Sequence, residues 1–82
     1  MSYYVEHTDL FTIGYTVMAV CETEAEARHV AEWYEAHQLS FLYTKYQVVG
    51  EDERRGLVIP AMLEWFAGER ARKGYVAEGV AV

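Results

Sequence analysis

Residues 21–38, CETEAEARHVAEWYEAHQ, constrain the fold more than any other stretch of this 82-residue chain. Thr23 followed three residues later by Glu26 is a capping box, in which each side chain satisfies a backbone N–H that the first turn of a helix leaves without a partner. The helix therefore starts at Glu24. Behind the cap, Ala27, Val30, Ala31 and Tyr34 recur at i, i+3, i+4 and i+7, the spacing of a helix that lays one apolar stripe on a sheet. The sequence on either side supplies that sheet. Residues 11–21, FTIGYTVMAVC, are rich in β-branched and aromatic types, with Phe11, Ile13, Tyr15, Val17 and Ala19 expected on one face, and read as one strand or as two strands bent at Gly14. Residues 40–49, SFLYTKYQVV, alternate Leu42, Thr44, Tyr46 and Val48 against Phe41, Tyr43, Lys45 and Gln47 and read as a second strand.

Further along, EDERRG (51–56) is a charged turn closed by glycine, Leu57–Ile59 a short strand, and Pro60 the first residue of a second helix. That helix runs to about Lys73, with Gly74 as its C-cap, and the tail YVAEGVAV (75–82) is apolar enough for a last strand. A short YYVEH segment at 3–7 can add to an edge. In order this is the ferredoxin-like βαββαβ arrangement. The alternative is a ββαβα sandwich in which the tail stays disordered. Both are α+β domains with two helices packed on one face of a mainly antiparallel sheet, leaving the other face free for function or dimerisation.

One domain spans residues 1–82, because a chain this short supports a single modest core. Its 52% hydrophobic and 24% charged content is that of a globular protein rather than a disordered one. Cys21 is the only cysteine, so no intramolecular disulfide can form, which predicts a reducing, cytoplasmic setting. MSYYVEH lacks the basic and apolar regions of a signal peptide, and no apolar run approaches the 18 or more residues of a membrane span.

Charge is segregated along the chain. Residues 1–53 hold ten acids and two bases, while residues 54–82 hold three acids and five bases, within a net charge of −6. Such an acidic region repels nucleic acid, whose phosphates demand lysine and arginine, but attracts a basic groove on another protein. On the first helix Glu24, Glu32 and Glu35 fall on the solvent side, with Arg28 four residues from both Glu24 and Glu32. That pattern is also what an ordinary solvated, salt-bridged face looks like. On the second helix the expected buried stripe is Met62, Leu63, Phe66, Ala67 and the stem of Arg70. Trp65 is left facing outward beside Ala61, Gly68, Glu69 and Arg72, where a tryptophan among small residues reads as an interface anchor.

Other groups carry less. Glu26 and His29 form one E-x-x-H, whereas a di-iron bundle needs two such motifs and two further glutamates, so no metal or other cofactor is expected. His29, Trp33 and His37 read as residues at the boundary between core and solvent. Cys21 precedes a helix N-terminus, yet Glu22 and Glu24 oppose a thiolate there, and a small buried hydrophobe is the simpler reading. Phosphate loops, H-E-x-x-H and G-x-S-x-G are missing from the sequence. No catalytic residues are assigned and no enzyme is expected.

The sequence thus predicts a small acidic protein-interaction module that binds and blocks a larger protein with a basic surface, proteins that hold nucleic acid included. Glu24, Glu32, Glu35, Trp65 and Arg72 are the partner-binding candidates. In size, charge and lack of motifs the chain resembles the compact inhibitors that phages make against host defence, such as anti-CRISPR proteins. The likeness is one of class and implies only a steric and electrostatic mode of action. The competing reading is a homodimer whose free sheet faces enclose a small-molecule pocket lined by tyrosines such as Tyr43 and Tyr46, with ligand-sensing or weak enzymatic activity.

Overall fold

The computed structural model describes residues 1–9, 14–37 and 44–77. Within them the chain forms β1 (Tyr3–Asp9), β2 (Thr16–Cys21), α1 (Glu24–Ala36), β3 (Thr44–Gly50), a single 3₁₀ turn (Glu51–Glu53) and α2 (Pro60–Arg72). The two helices pack against a three-stranded antiparallel sheet, as expected for a small α+β domain. Parts of two expected strands, residues 11–13 and 40–43, lie outside the described residues. So do residues 78–82 of the expected final strand, while Tyr75–Ala77 belong to no strand. The described order is therefore ββαβα, and the βαββαβ order is not seen among the described elements.

The N-terminal segment departs most from expectation. It is not an edge addition but the middle of the sheet, pairing antiparallel with β2 on one side and β3 on the other to give the order β2-β1-β3. Strands β2 and β3 consequently run parallel to each other, joined through α1, with β1 inserted between them as in a split β-α-β unit. Val5 and Glu6, adjacent residues that point to opposite faces, are both fully buried, so β1 is covered on both sides.

A β-bulge corrects the expected facing of β2. Val5 pairs with Ala19 and Glu6 with Val17, so Met18 is an extra residue opposite the Val5/Glu6 step. Val17 and Ala19, expected on one face, therefore point to opposite faces. Ala19, Met18 and Cys21 join the helix-side core with Val5, Ala27, Val30, Ala31, Tyr34 and Phe66. Val17 is buried beneath the sheet instead.

Helix α1 follows the sequence closely. Thr23 is the N-cap, its hydroxyl accepting from the Glu26 amide at 3.1 Å, and the buried residues are Ala27, Val30, Ala31 and Tyr34. The helix packs across all three strands, whereas α2 packs chiefly on β2, at the edge of the sheet, with Phe66 reaching edge-on to His7 of β1. On α2 only Phe66 and Arg70 are buried, whereas Met62, Leu63 and Ala67 of the expected stripe are exposed or half-buried. A helix lying over an edge strand overhangs it and has less surface beneath it to cover.

The face away from the helices is not free along its length. The chain leaving β3 crosses under it, and the Glu6 carboxylate accepts from the Arg55 amide (2.9 Å), the Gly56 amide (2.5 Å) and Gln47 Nε2 (3.1 Å). Gly56 is required by this crossing, since a Cβ there would sit 2.8 Å from the Tyr15 carbonyl oxygen and 3.0 Å from Val17 Cγ2. The Arg54 guanidinium lies 5.2 Å from the centre of the Tyr4 ring on the same side. Beyond the crossing, Leu57 makes a parallel bridge to Thr16 on the outer edge of β2, and Pro60 opens α2.

Candidate functional site

The acidic candidates on α1 are all at the surface, but they do not form one site. Glu24 is engaged by Arg28, whose Nη2 and Nε donate to it at 2.6 and 3.0 Å, an exposed i, i+4 pair of little energetic weight. Glu32 and Glu35 stand exposed two and three turns further along the helix, outside the ion pairs of the described residues. The fold supplies Glu24 with different neighbours. A cleft of about 370 Å³ at the start of α1 is lined by Glu24 together with Glu51, Asp52 and Glu53, the acids of the 3₁₀ turn. Sequence reading took 51–56 for a turn and so missed this convergence, which depends on β3 ending beside the α1 N-terminus. Among the described residues no three His, Cys, Asp or Glu side chains are grouped so as to hold a metal ion.

Trp65 is where the sequence put it. It is 57% exposed on α2, with its ring edge-on to the buried Phe66 at 5.0 Å between centroids. Ile59 (43% exposed) and Met62 (37%) precede it at steps of three residues, so the three side chains adjoin along one flank, with the 77%-exposed Leu57 just upstream. The result is an apolar strip on the overhanging side of α2. Arg72 is also exposed, its guanidinium lying along Gly68, one turn beyond Trp65.

The flank of α1 bearing His29, Trp33 and His37 has a structural task. His29 Nε2 hydrogen-bonds the Val76 carbonyl at 2.9 Å, and the Trp33 ring meets Tyr75 edge-on at 5.7 Å and stacks on His37 at 4.3 Å. These contacts bring the chain after α2 across to α1. The valley between the helices holds a second aromatic layer in which Tyr46 stacks on Tyr34 (5.5 Å) and on His7 (6.1 Å). Tyr46 thus lies on the helix side and not on an outer sheet face, while Tyr43 lies outside the described residues.

Burial governs the titrating groups of this core. The Cys21 thiol is pushed up to about 11, first by desolvation and then by the Glu26 charge, with Arg70 opposing. A thiol so poised stays protonated at neutral pH and is a poor nucleophile. Desolvation raises Tyr34 and Tyr46 as well. Two charged residues in the interior were not legible as such: Glu6 beneath the sheet, and the guanidinium of Arg70, of which the sequence suggested only that the stem would be covered.

No described helix is long and apolar enough to cross a membrane. Comparison with known proteins places the chain in no family: no family model matches it, and no curated protein or solved structure shows significant similarity to it.

Proposed function

We propose that the protein is a small interaction module that docks on a larger protein carrying a basic surface, and that the strip of Ile59, Met62 and Trp65 on α2 is the desolvated centre of that contact. The observation that carries this reading is the exposure of Trp65 together with its two apolar neighbours on a helix face that covers nothing. Tryptophan anchors of this kind dominate interface energies, and surrounding charges contribute more to the rate of association and its specificity. The net charge of −6, with Glu32 and Glu35 outside ion pairs and four further acids around the Glu24 cleft, fits a partner of opposite sign. Arg72 would pair with an acid at the rim. Where the basic surface is one that binds nucleic acid, occupying it excludes the nucleic acid, so inhibition is the expected consequence, as for a compact phage inhibitor.

The dimer reading has less to stand on. Tyr4 and Val17 of the outer sheet face are already buried by the 51–57 crossing, and Tyr46 is committed to the helix-side core.

The test is capture from lysate of the native host by tagged wild type, Trp65→Ala and the double variant Glu32→Lys/Glu35→Lys at low and moderate salt. One stoichiometric partner should bind wild type, be lost about 30-fold or more with Trp65→Ala, and bind the charge-reversed variant more weakly and with less sensitivity to salt. A partner retained equally by all three rules out both the strip and the acidic face as its contact.

A further inference from the structure

Arg70 is only 9% exposed, yet it stands in no ion pair with a carboxylate among the described residues. Its Nη1 donates to the Tyr34 hydroxyl at 2.9 Å and to the Met18 carbonyl at 3.4 Å. The guanidinium carbon lies 5.7 and 5.5 Å from the ring centres of Tyr34 and Tyr75. Its Nε is buried and has no acceptor. A neutral hydroxyl, one long carbonyl contact and two ring faces stabilise a buried cation less than a carboxylate does, and buried charges in proteins are as a rule paired.

The same side chain lines a groove of about 240 Å³ between α1 and α2, floored by β2. Val30 on one wall, Leu63 and Ala67 on the other and Ala19 on the floor make the lining largely apolar. On α2 this is the flank opposite the Ile59–Met62–Trp65 strip, so the groove is independent of the docking contact proposed above. We propose that the groove is a binding site for a small carboxylate with an apolar body, a short-chain aliphatic acid, whose head accepts hydrogen bonds from the Arg70 guanidinium. With Nη1 already engaged and Nε closed off by protein, Nη2 is the nitrogen left for the ligand, and a carboxylate oxygen matches it in charge and as an acceptor. The groove is somewhat smaller than typical pockets for drug-sized ligands, which start at roughly 300 Å³, and suits a body of about five or six carbons. Glu26 also lines it and opposes an anion, which limits affinity.

Titration with hexanoate, followed by calorimetry and by amide shifts at Cys21 and Ala67, tests this in the full chain. Hexanoate should bind, while hexanol and acetate, which carry only the body or only the head, should bind at least tenfold more weakly. Arg70→Met should lose at least tenfold in hexanoate affinity, and Glu26→Gln should gain about threefold. Should Arg70→Met not fold, Ala67→Phe decides the matter, since Ala67 is exposed and the ring fills the groove while Arg70 stays in place. Hexanol binding as tightly as hexanoate, or hexanoate affinity unchanged in Ala67→Phe, overturns the proposal.

Discussion

Helices α1 and α2 are each 13 residues long and lie on the same side of one sheet, yet α1 buries four side chains and α2 only two. Composition does not explain the difference, for α2 has more large apolar residues (Met62, Leu63, Trp65 and Phe66) than α1 (Val30, Trp33 and Tyr34). Position does. Helix α1 spans all three strands, so each turn of its stripe finds a strand beneath it. Helix α2 sits mainly on the edge strand β2 and buries only Phe66 and Arg70, so its remaining apolar residues stay exposed or half-buried. One helix thus serves the fold, and the other is held by the fold while presenting a surface.

This contrast can be broken most sharply at Glu6. Its carboxylate holds the Arg55 and Gly56 amides, and through them the chain that delivers α2. Glu6→Ala leaves those donors without acceptors and should lower stability by about 3 kcal/mol in chemical denaturation. Hydrogen exchange should show α2 amides losing protection well before those of α1; equal loss in both helices would mean that α2 does not depend on the crossing.

A somewhat smaller effect comes from raising pH. Cys21, Tyr34 and Tyr46 hold their protons more tightly in the folded chain than in the unfolded one, chiefly because burial disfavours the anions. Their contribution is complete below the ordinary values of 9.0 for the thiol and 10.0 for the phenols, and for Cys21 it is lost as pH climbs through about 11. Stability should therefore fall from pH 9 upward, with Cys21 accounting for about 2–3 kcal/mol of the decline. Cys21→Ala should make the alkaline slope shallower; an unchanged slope would place the titration elsewhere. Least in size but most direct is a pair of truncations. Val30→Ala on α1 should cost about 2 kcal/mol. The larger deletion Trp65→Ala on α2 should stay within about 0.5 kcal/mol, as surface changes do.

The same division governs what could be read in advance. Helix α1 was legible in full, because a cap and a stripe are local signals and a helix over the middle of a sheet obeys them. Pro60 marked the start of α2, but its buried side depends on which strand it meets, and no local pattern records that. The sequence of β1 misled for a similar reason. Glu6 in YYVEHTD argues against a central strand, and its acceptability rests on two backbone amides about fifty residues away. Met18 turned a regular alternation into a bulge without leaving a mark in residue type. Among the candidate site residues, Trp65 could be placed from helical spacing alone. The meeting of Glu24 with Glu51–Glu53 and the isolation of Arg70 are products of tertiary assembly.

The central place of β1 also sets how the chain can be handled and how it must assemble. A strand near the start of a sequence is usually thought safe to trim or to fuse. Here, deleting residues 3–9 would remove the middle of the sheet and leave two parallel strands with no shared neighbour. On a ribosome, β1 emerges ahead of β2, can form a hairpin-like pair with it early, and then waits for residues 44–50 to complete its other side. Until then one edge of the central strand is open, and the nascent chain is most exposed to mispairing while α1 is being made.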